Sequence, residues 1–269
     1  MFAPTILVTL LIGLFILVIA LWRGWLTRSG AAAALLVGTI TLGFGGMTFV
    51  VPLLTFFITS SLFSKVQSNA KRAAAQRFDK SHQRDAMQVL ANGGLGALAA
   101  LGFGLTQDPR WFAFFLGAMA TVTADTWATE LGTLSKGPPR SLITGRVVPV
   151  GMSGGISVLG LVASIGGGML IGAVGALAGG GALGWLMLLG GATGLIGSLL
   201  DSLLGATLQR QYWDPNRQEM TEKSARGGHP LVLSRGLSWM GNDVVNLLAA
   251  AGGGFCAALL WRASVGVLL

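Results

Sequence analysis

Charge is what this sequence has least of. Only 10% of its 269 residues are Asp, Glu, Lys or Arg, against 52% hydrophobic. A soluble domain carries roughly 25% charged residues, so an ordinary soluble domain is excluded and a polytopic membrane protein is indicated. Cysteine occurs once, at Cys256. That excludes an internal disulfide and a cysteine-rich metal site, and leaves a small buried hydrophobe. Two histidines, His82 and His229, leave little room for a histidine-held zinc. Any metal would be held by oxygen, which favours Mg²⁺ or Mn²⁺. No GxGxxG follows a strand and there is no P-loop, which excludes the soluble nucleotide-binding folds. The net charge of +8 lacks interleaved aromatics, so it does not point to nucleic acid.

What is present is apolar length, broken by basic loops. Residues 2–21 are apolar for about the ~20 residues that a span needs, with no basic stretch ahead of them. They read as a first span, not a cleavable signal. Residues 31–63 are too long for one ordinary helix and short for two. Gly43, Gly45 and Gly46 break them in the middle, which predicts a tight hairpin of helices over 31–43 and 47–63. Further spans are expected at 87–105, 111–130, 153–178, 184–208 and 237–260. The basic loop 64–84 has an Ala-rich centre that predicts a short helical extension. Residues 209–238 read as a polar loop. The fold class is therefore all-α: a single integral-membrane domain over 1–269, with about eight spans. The 42 glycines mostly let helices approach closely.

With the N-terminus outside, the loops after Trp22, Phe63, Glu130 and Leu208 face the cytosol. They carry every Lys and Arg except Arg110 and Arg262, a positive-inside pattern. That orientation predicts a multi-pass protein of a bacterial plasma membrane or a thylakoid-like membrane.

Three acids then fall at three span ends on the cytosolic side: Asp125, Asp201 and Asp243. Intramembrane acids are expensive and generally serve a function. Together they suit a Mg²⁺ site, with Glu130 as a further carboxylate nearby. Helical spacing adds partners. Asn242, Asp243 and Asn246 share a face; Gln88 and Asn92 are one turn apart; Ser61, Lys65 and Asn69 form a stripe. The bland alternative for each Asn or Gln is an interhelical hydrogen bond. Arg23, Arg28, Arg72, Arg77 and Lys80 read as topology or headgroup charges. Lys65, Lys71, Lys136, Arg140 and Arg146 flank the acids and are the candidate phosphate ligands.

The segments QVLANGG (88–94), ADTWATELG (124–132), PRSLITGRVVPVGMSGGIS (139–157), GSLLDSLLGATLQ (197–209) and GNDVVNLLA (241–249) resemble the integral-membrane family of domain of unknown function 92. The likeness runs in order from about Ser60 to Ala250. It implies an all-helical membrane kinase that converts a prenyl monophosphate, phytyl or geranylgeranyl, to the diphosphate, as in tocopherol synthesis. The donor would be a nucleoside triphosphate, CTP rather than ATP by the family's wider relations. On that reading Asp125, Asp201 and Asp243 hold Mg²⁺, and Lys65, Lys71, Lys136, Arg140 and Arg146 clamp phosphates. Asn69, Asn92, Asn242 and Asn246 orient ligands. The partners are then the prenyl phosphate lipid, the nucleotide and membrane lipid. A lipid-alcohol kinase or cytidylyltransferase is the related alternative, and would need an acid as general base. A small-molecule transporter is the alternative of another class, although its charges would sit nearer the midplane.

Overall fold

The computed structural model describes residues 2–66, 68–80 and 83–265, with side chains apart from those of 2–10, 69, 70, 73 and 262–265. The side chain of Asn69, His82 and the side chain of Arg262 lie outside that description.

The chain forms helices wherever its apolar runs are long. They are α1 (Phe2–Trp22), α2 (Arg28–Lys65), the short α3 (Asn69–Ala75), α4 (Ala86–Thr106) and α5 (Pro109–Gly132), then α6 (Val158–Gly179), α7 (Leu183–Thr207) and α8 (Asn242–Val265). Polar residues set several of the starts. Thr27 caps α2, and Ser157 caps α6. Asp85 and Gln88 form a reciprocal capping box on α4, and Asp108 with Pro109 opens α5.

α2 is not one straight rod. Gly46 sits at φ 63°, ψ −159°, outside helical geometry. Few residues other than glycine take that backbone without strain. The two arms run back alongside each other. Val37 and Leu53 both abut Gly93 of α4. At the far ends Gly30 packs on the Arg84 carbonyl, and Ser61 accepts a hydrogen bond from the Arg84 guanidinium. The stretch read as a glycine-broken hairpin does fold back.

Among the described residues, five helices are long and apolar enough to cross a membrane: α2, α4, α6, α7 and α8. The expected eight spans are not reproduced by that criterion. α2 counts once although it doubles back. The described apolar part of α1 is short, Leu11–Trp22. α5 falls out for a physical reason. It is the central helix, packed against α2, α4, α6, α7 and α8, and residues 113–124 are continuously buried. A helix enclosed by protein has no lipid to satisfy, so it can carry Thr121, Thr123 and Asp125.

Glycines bring the helices together around it. A Cβ on Gly190 of α7 would stand 2.3 Å from the Gly168 carbonyl of α6, and the reverse contact is equally close. Gly190→Ala should therefore force the α6–α7 crossing apart. Overpacking of this kind costs about 1–3 kcal/mol. A lowered melting temperature in detergent is the expected result, and a wild-type melt would refute it.

The polar segments are not simple loops. The three-stranded antiparallel sheet β4-β3-β7 is built within the stretch expected to be a loop, from β3 (Gln211–Asp214), β4 (Glu219–Thr221) and β7 (Val232–Arg235). Two small hairpins accompany it: β1 (Arg140–Ser141) with β2 (Gly155–Ile156), and β5 (Ala225–Arg226) with β6 (His229–Pro230). The sheet docks on the segment between α3 and α4. Arg77 bonds Glu219 at 2.6 Å, and Glu222 N–H donates to the Arg77 carbonyl at 2.9 Å. Gly151 presses on Ala74, and Leu26 bridges to Arg84. The basic segments thus meet at one end of the bundle, with Arg110 at the opposite end.

Candidate functional site

Beneath that polar end lies a cavity of about 440 Å³, within the size range of small-molecule sites. Its wall draws on α4, α5, α7, α8 and the polar segments.

The helix junction of α5, α6 and α7 sets its floor. Ser164 of α6 donates to the Ala124 carbonyl at 3.4 Å and bonds Ser198 Oγ at 3.2 Å. Thr121 donates to the Thr193 carbonyl at 3.3 Å. Asp125 follows Ala124 directly, and Asp201 is one turn past Ser198. These buried contacts hold together the helices from which both acids line the cavity. Asp201 stands within coulombic reach of Asp125 and Glu222. Asp243 enters from the first turn of α8, and its Oδ2 accepts from Lys80 at 2.5 Å. All three sequence-predicted acids line the one cavity, as do Asn92, Asn242 and Asn246.

The expected cations need correction. Lys136, Arg140 and Arg146 are exposed and lie outside the cavity wall; Arg140 donates to the Gly145 carbonyl within its own loop. All three sit on exposed stretches of the segment after α5, so sequence proximity to Asp125 does not bring them into the cavity lining. Lys65 also lies outside the wall and donates to the Arg23 carbonyl at 3.1 Å. Lys71 does reach the wall, but its ammonium is already engaged. It donates to the carbonyls of Phe63, Ser64 and Val66 at 2.9, 3.0 and 2.9 Å, closing the C-terminal end of α2. It also pairs with Glu130. Glu130, expected among the metal ligands, is tied to Lys71 and accepts from Ser64 at 2.7 Å.

The residues that sequence reasoning missed come from the polar segments. Lys80, Arg84, Arg210, Asp79 and Glu222 all line the cavity. Lys80 bridges Asp85 and Asp243. Burial pulls its pKa down, but the bonds to the two carboxylates outweigh this and hold it above the ordinary lysine value. Arg210 pairs with Asp79 at 3.3 Å. Glu222 is buried and accepts from Ser153 at 3.0 Å and Gln209 at 2.8 Å. Of these, only Arg84 had a sequence signal nearby, the Asp-x-x-Gln capping box that follows it.

Burial pushes the Glu222 carboxyl up from its ordinary pKa, against the pull of the Ser153 and Gln209 bonds. A raised folded-state value means the folded protein holds the proton more tightly than the unfolded chain. The associated stability is complete below the ordinary value of 4.5 and is lost as pH rises through the folded value. Glu222→Gln imitates the protonated form. It should melt higher than wild type at neutral pH, with a flatter gain on acidification. An unchanged pH profile of the melting temperature would refute this.

Among the described residues no three Asp, Glu, His or Cys side chains form a ready-made metal cage. Two observations nonetheless fit a hard cation. Asp201 Oδ2 and Asp243 Oδ1 are buried without a hydrogen-bond partner, a costly state for a carboxylate oxygen. An all-oxygen donor set with open positions suits Mg²⁺, which keeps several waters of its own.

The DUF92 integral-membrane family profile matches residues 11–254. The chain belongs to this family. It is 31% identical to Protein PGR of Arabidopsis thaliana over 251 residues, 84% of this chain and 86% of that protein. It is 32% identical to an uncharacterized membrane protein of Methanocaldococcus jannaschii over 191 residues, 69% of this chain and 76% of the relative. A third relative, an uncharacterized membrane protein of a Synechocystis strain, is 26% identical over 190 residues, 70% of this chain and 73% of its own length. No solved structure matches.

Proposed function

We propose that this DUF92 member is a membrane-embedded kinase. It would transfer the terminal phosphoryl group of a nucleoside triphosphate, CTP by preference, to a prenyl monophosphate. The observation that carries this reading is the partnerless Asp201 carboxylate oxygen, buried in a polar cavity at one end of an apolar bundle. An acceptor with a long apolar tail and a charged head needs such a boundary. Its tail can lie among the glycine-rich helices while its phosphate enters the cavity.

Asp125 and Asp201 would hold Mg²⁺, with Asp243 beside them. Bound Mg²⁺ supplies neutralisation of phosphate charge. Asn92 and Asn246 would orient phosphate oxygens with their amide N–H groups. No base is needed, because the acceptor is already a phosphate anion. The acceptor oxygen attacks the terminal phosphorus, the bridging P–O bond breaks, and the nucleoside diphosphate leaves. The cation-rich loops support a cytosolic cavity end on the positive-inside rule.

The test uses purified protein with phytyl or geranylgeranyl monophosphate, each of ATP, CTP, GTP and UTP, and Mg²⁺. Prenyl diphosphate should form with at least one donor, CTP foremost. No product with any pair would reject the kinase.

A further inference from the structure

The expected phosphate clamp is largely absent from the cavity, yet a phosphate site needs a cation. Four cations line the wall: Lys71, Lys80, Arg84 and Arg210. Three are committed to carboxylates: Lys71 to Glu130, Lys80 to Asp85 and Asp243, Arg210 to Asp79. Arg84 is different. Among the described residues, its side-chain hydrogen bond goes to the neutral Ser61 hydroxyl, at 2.6 Å, and no carboxylate lies within ion-pair distance. The ring of Phe57 lies 5.9 Å from its guanidinium carbon.

Arg84 is half-buried; desolvation lowers its pKa from the ordinary value, while the Glu130 charge pulls it back up. It remains a cation, because arginine does not lose its proton in proteins. Holding a cation there is costly when the Glu130 charge that favours it is already paired with Lys71. The chain fixes it in place all the same. Arg84 N–H donates to the Trp25 carbonyl at 3.0 Å, and the Arg84 carbonyl accepts from Thr27 N–H at 3.1 Å. Gly30 packs so tightly on that carbonyl that a Cβ there would come within 2.1 Å. The backbone is thus held on both sides, next to the capped start of α4.

Asp201 and Asp243 line the same cavity. Asp201 Oδ2 and Asp243 Oδ1 lack partners. The cavity lining thus holds a cation without an ion-pair partner and carboxylate oxygens without a hydrogen-bond partner. One ligand class answers both: a phosphate whose other oxygens are chelated to a divalent cation. We infer that Arg84 is the anion-binding residue of this cavity and takes a phosphate group of the ligand through its guanidinium fork. The inference rests on the reading of the cavity as a phosphate-transfer site. It assigns to Arg84 the role expected of Lys136, Arg140 and Arg146.

The probe is inorganic pyrophosphate, titrated calorimetrically into the purified full-length protein at saturating Mg²⁺, so that the acids contribute equally in every variant. Wild type should bind. Arg84→Gln should bind about tenfold more weakly or worse, because the charge and the fork are lost. Arg84→Lys, which keeps the charge and favours folding, should fall between the two. Arg146→Gln, outside the cavity, should bind as wild type does. Melting temperatures establish which variants are folded; if Arg84→Gln is not, Arg84→Lys decides. Wild-type affinity in the folded Arg84 variants overturns the inference. So does equal weakening by Arg146→Gln, or no binding to wild type in the millimolar range.

The kinase assay separates this from the reading beneath it. Pyrophosphate held by Arg84 without any prenyl diphosphate formed keeps the anion site and removes the kinase. Prenyl diphosphate formed by Arg84→Lys at wild-type KM for both substrates keeps the kinase and removes Arg84. A KM raised for prenyl monophosphate assigns the acceptor's phosphate to Arg84. A KM raised for the nucleotide assigns the donor's.

Discussion

Asp201→Asn is expected to lower phosphoryl transfer by about a hundredfold or more, while the protein stays folded. The change keeps the size of the side chain and removes its charge. Loss of a metal-holding carboxylate removes several kcal/mol of transition-state stabilisation. The fold should survive because Asp201 Oδ2 has no hydrogen-bond partner to lose. A neutral amide is also cheaper to bury than an uncompensated carboxylate. The measurement is kcat at saturating Mg²⁺ beside a detergent melt. Full activity in a stable Asp201→Asn protein would take Asp201 out of the site. An unfolded variant would show the carboxylate to be structural.

The second large effect is on stability, at Lys71. Lys71→Met should destabilise the protein by about 3–5 kcal/mol, the usual penalty for breaking one side of a buried ion pair. The pair is well shielded, with side chains 5% and 14% exposed. The loss has two parts. Glu130 is left with no ion-pair partner and the Ser64 hydrogen bond. The carbonyls of Phe63, Ser64 and Val66 lose their shared donor. Double replacement, Lys71→Met with Glu130→Gln, should recover part of the loss. Lys136→Ala, on the exposed loop, should shift stability by no more than about 0.5 kcal/mol. A Lys71→Met melt equal to that of Lys136→Ala would refute the role.

The helices were legible because apolar length survives folding unchanged. Residues 87–105 became α4 at Ala86–Thr106, and 184–208 became α7 at Leu183–Thr207. The break in α2 was legible because three glycines cluster there, although only Gly46 takes the non-helical backbone. Asp125, Asp201 and Asp243 could be grouped because each ends an apolar run at the same side. Asn92 and Asn246 could be added by counting turns. The cations resisted the same treatment. A lysine or arginine in a connecting segment has no periodicity to fix its direction. Lys136 and Lys71 look alike in sequence, but one points to solvent and one is buried under carbonyls. Glu222 was illegible for a similar reason. Only the pairing of β4 with β3 and its docking on Arg77 turn that side chain inward.

The enclosure of α5 has a consequence for how the protein is made. A lone helix carrying Asp125 near its end, with Glu130 beyond, partitions poorly into lipid, since an acid at depth costs about 2.5–3.5 kcal/mol on insertion scales. Three of the five helices that cover it, α6, α7 and α8, leave the ribosome after it. That order of synthesis predicts that α5 is held at the insertion machinery, beside α4, until α6 emerges to cover it. Biogenesis then becomes cooperative across the chain, and a truncation after α5 would strand the helix that the finished protein encloses most completely.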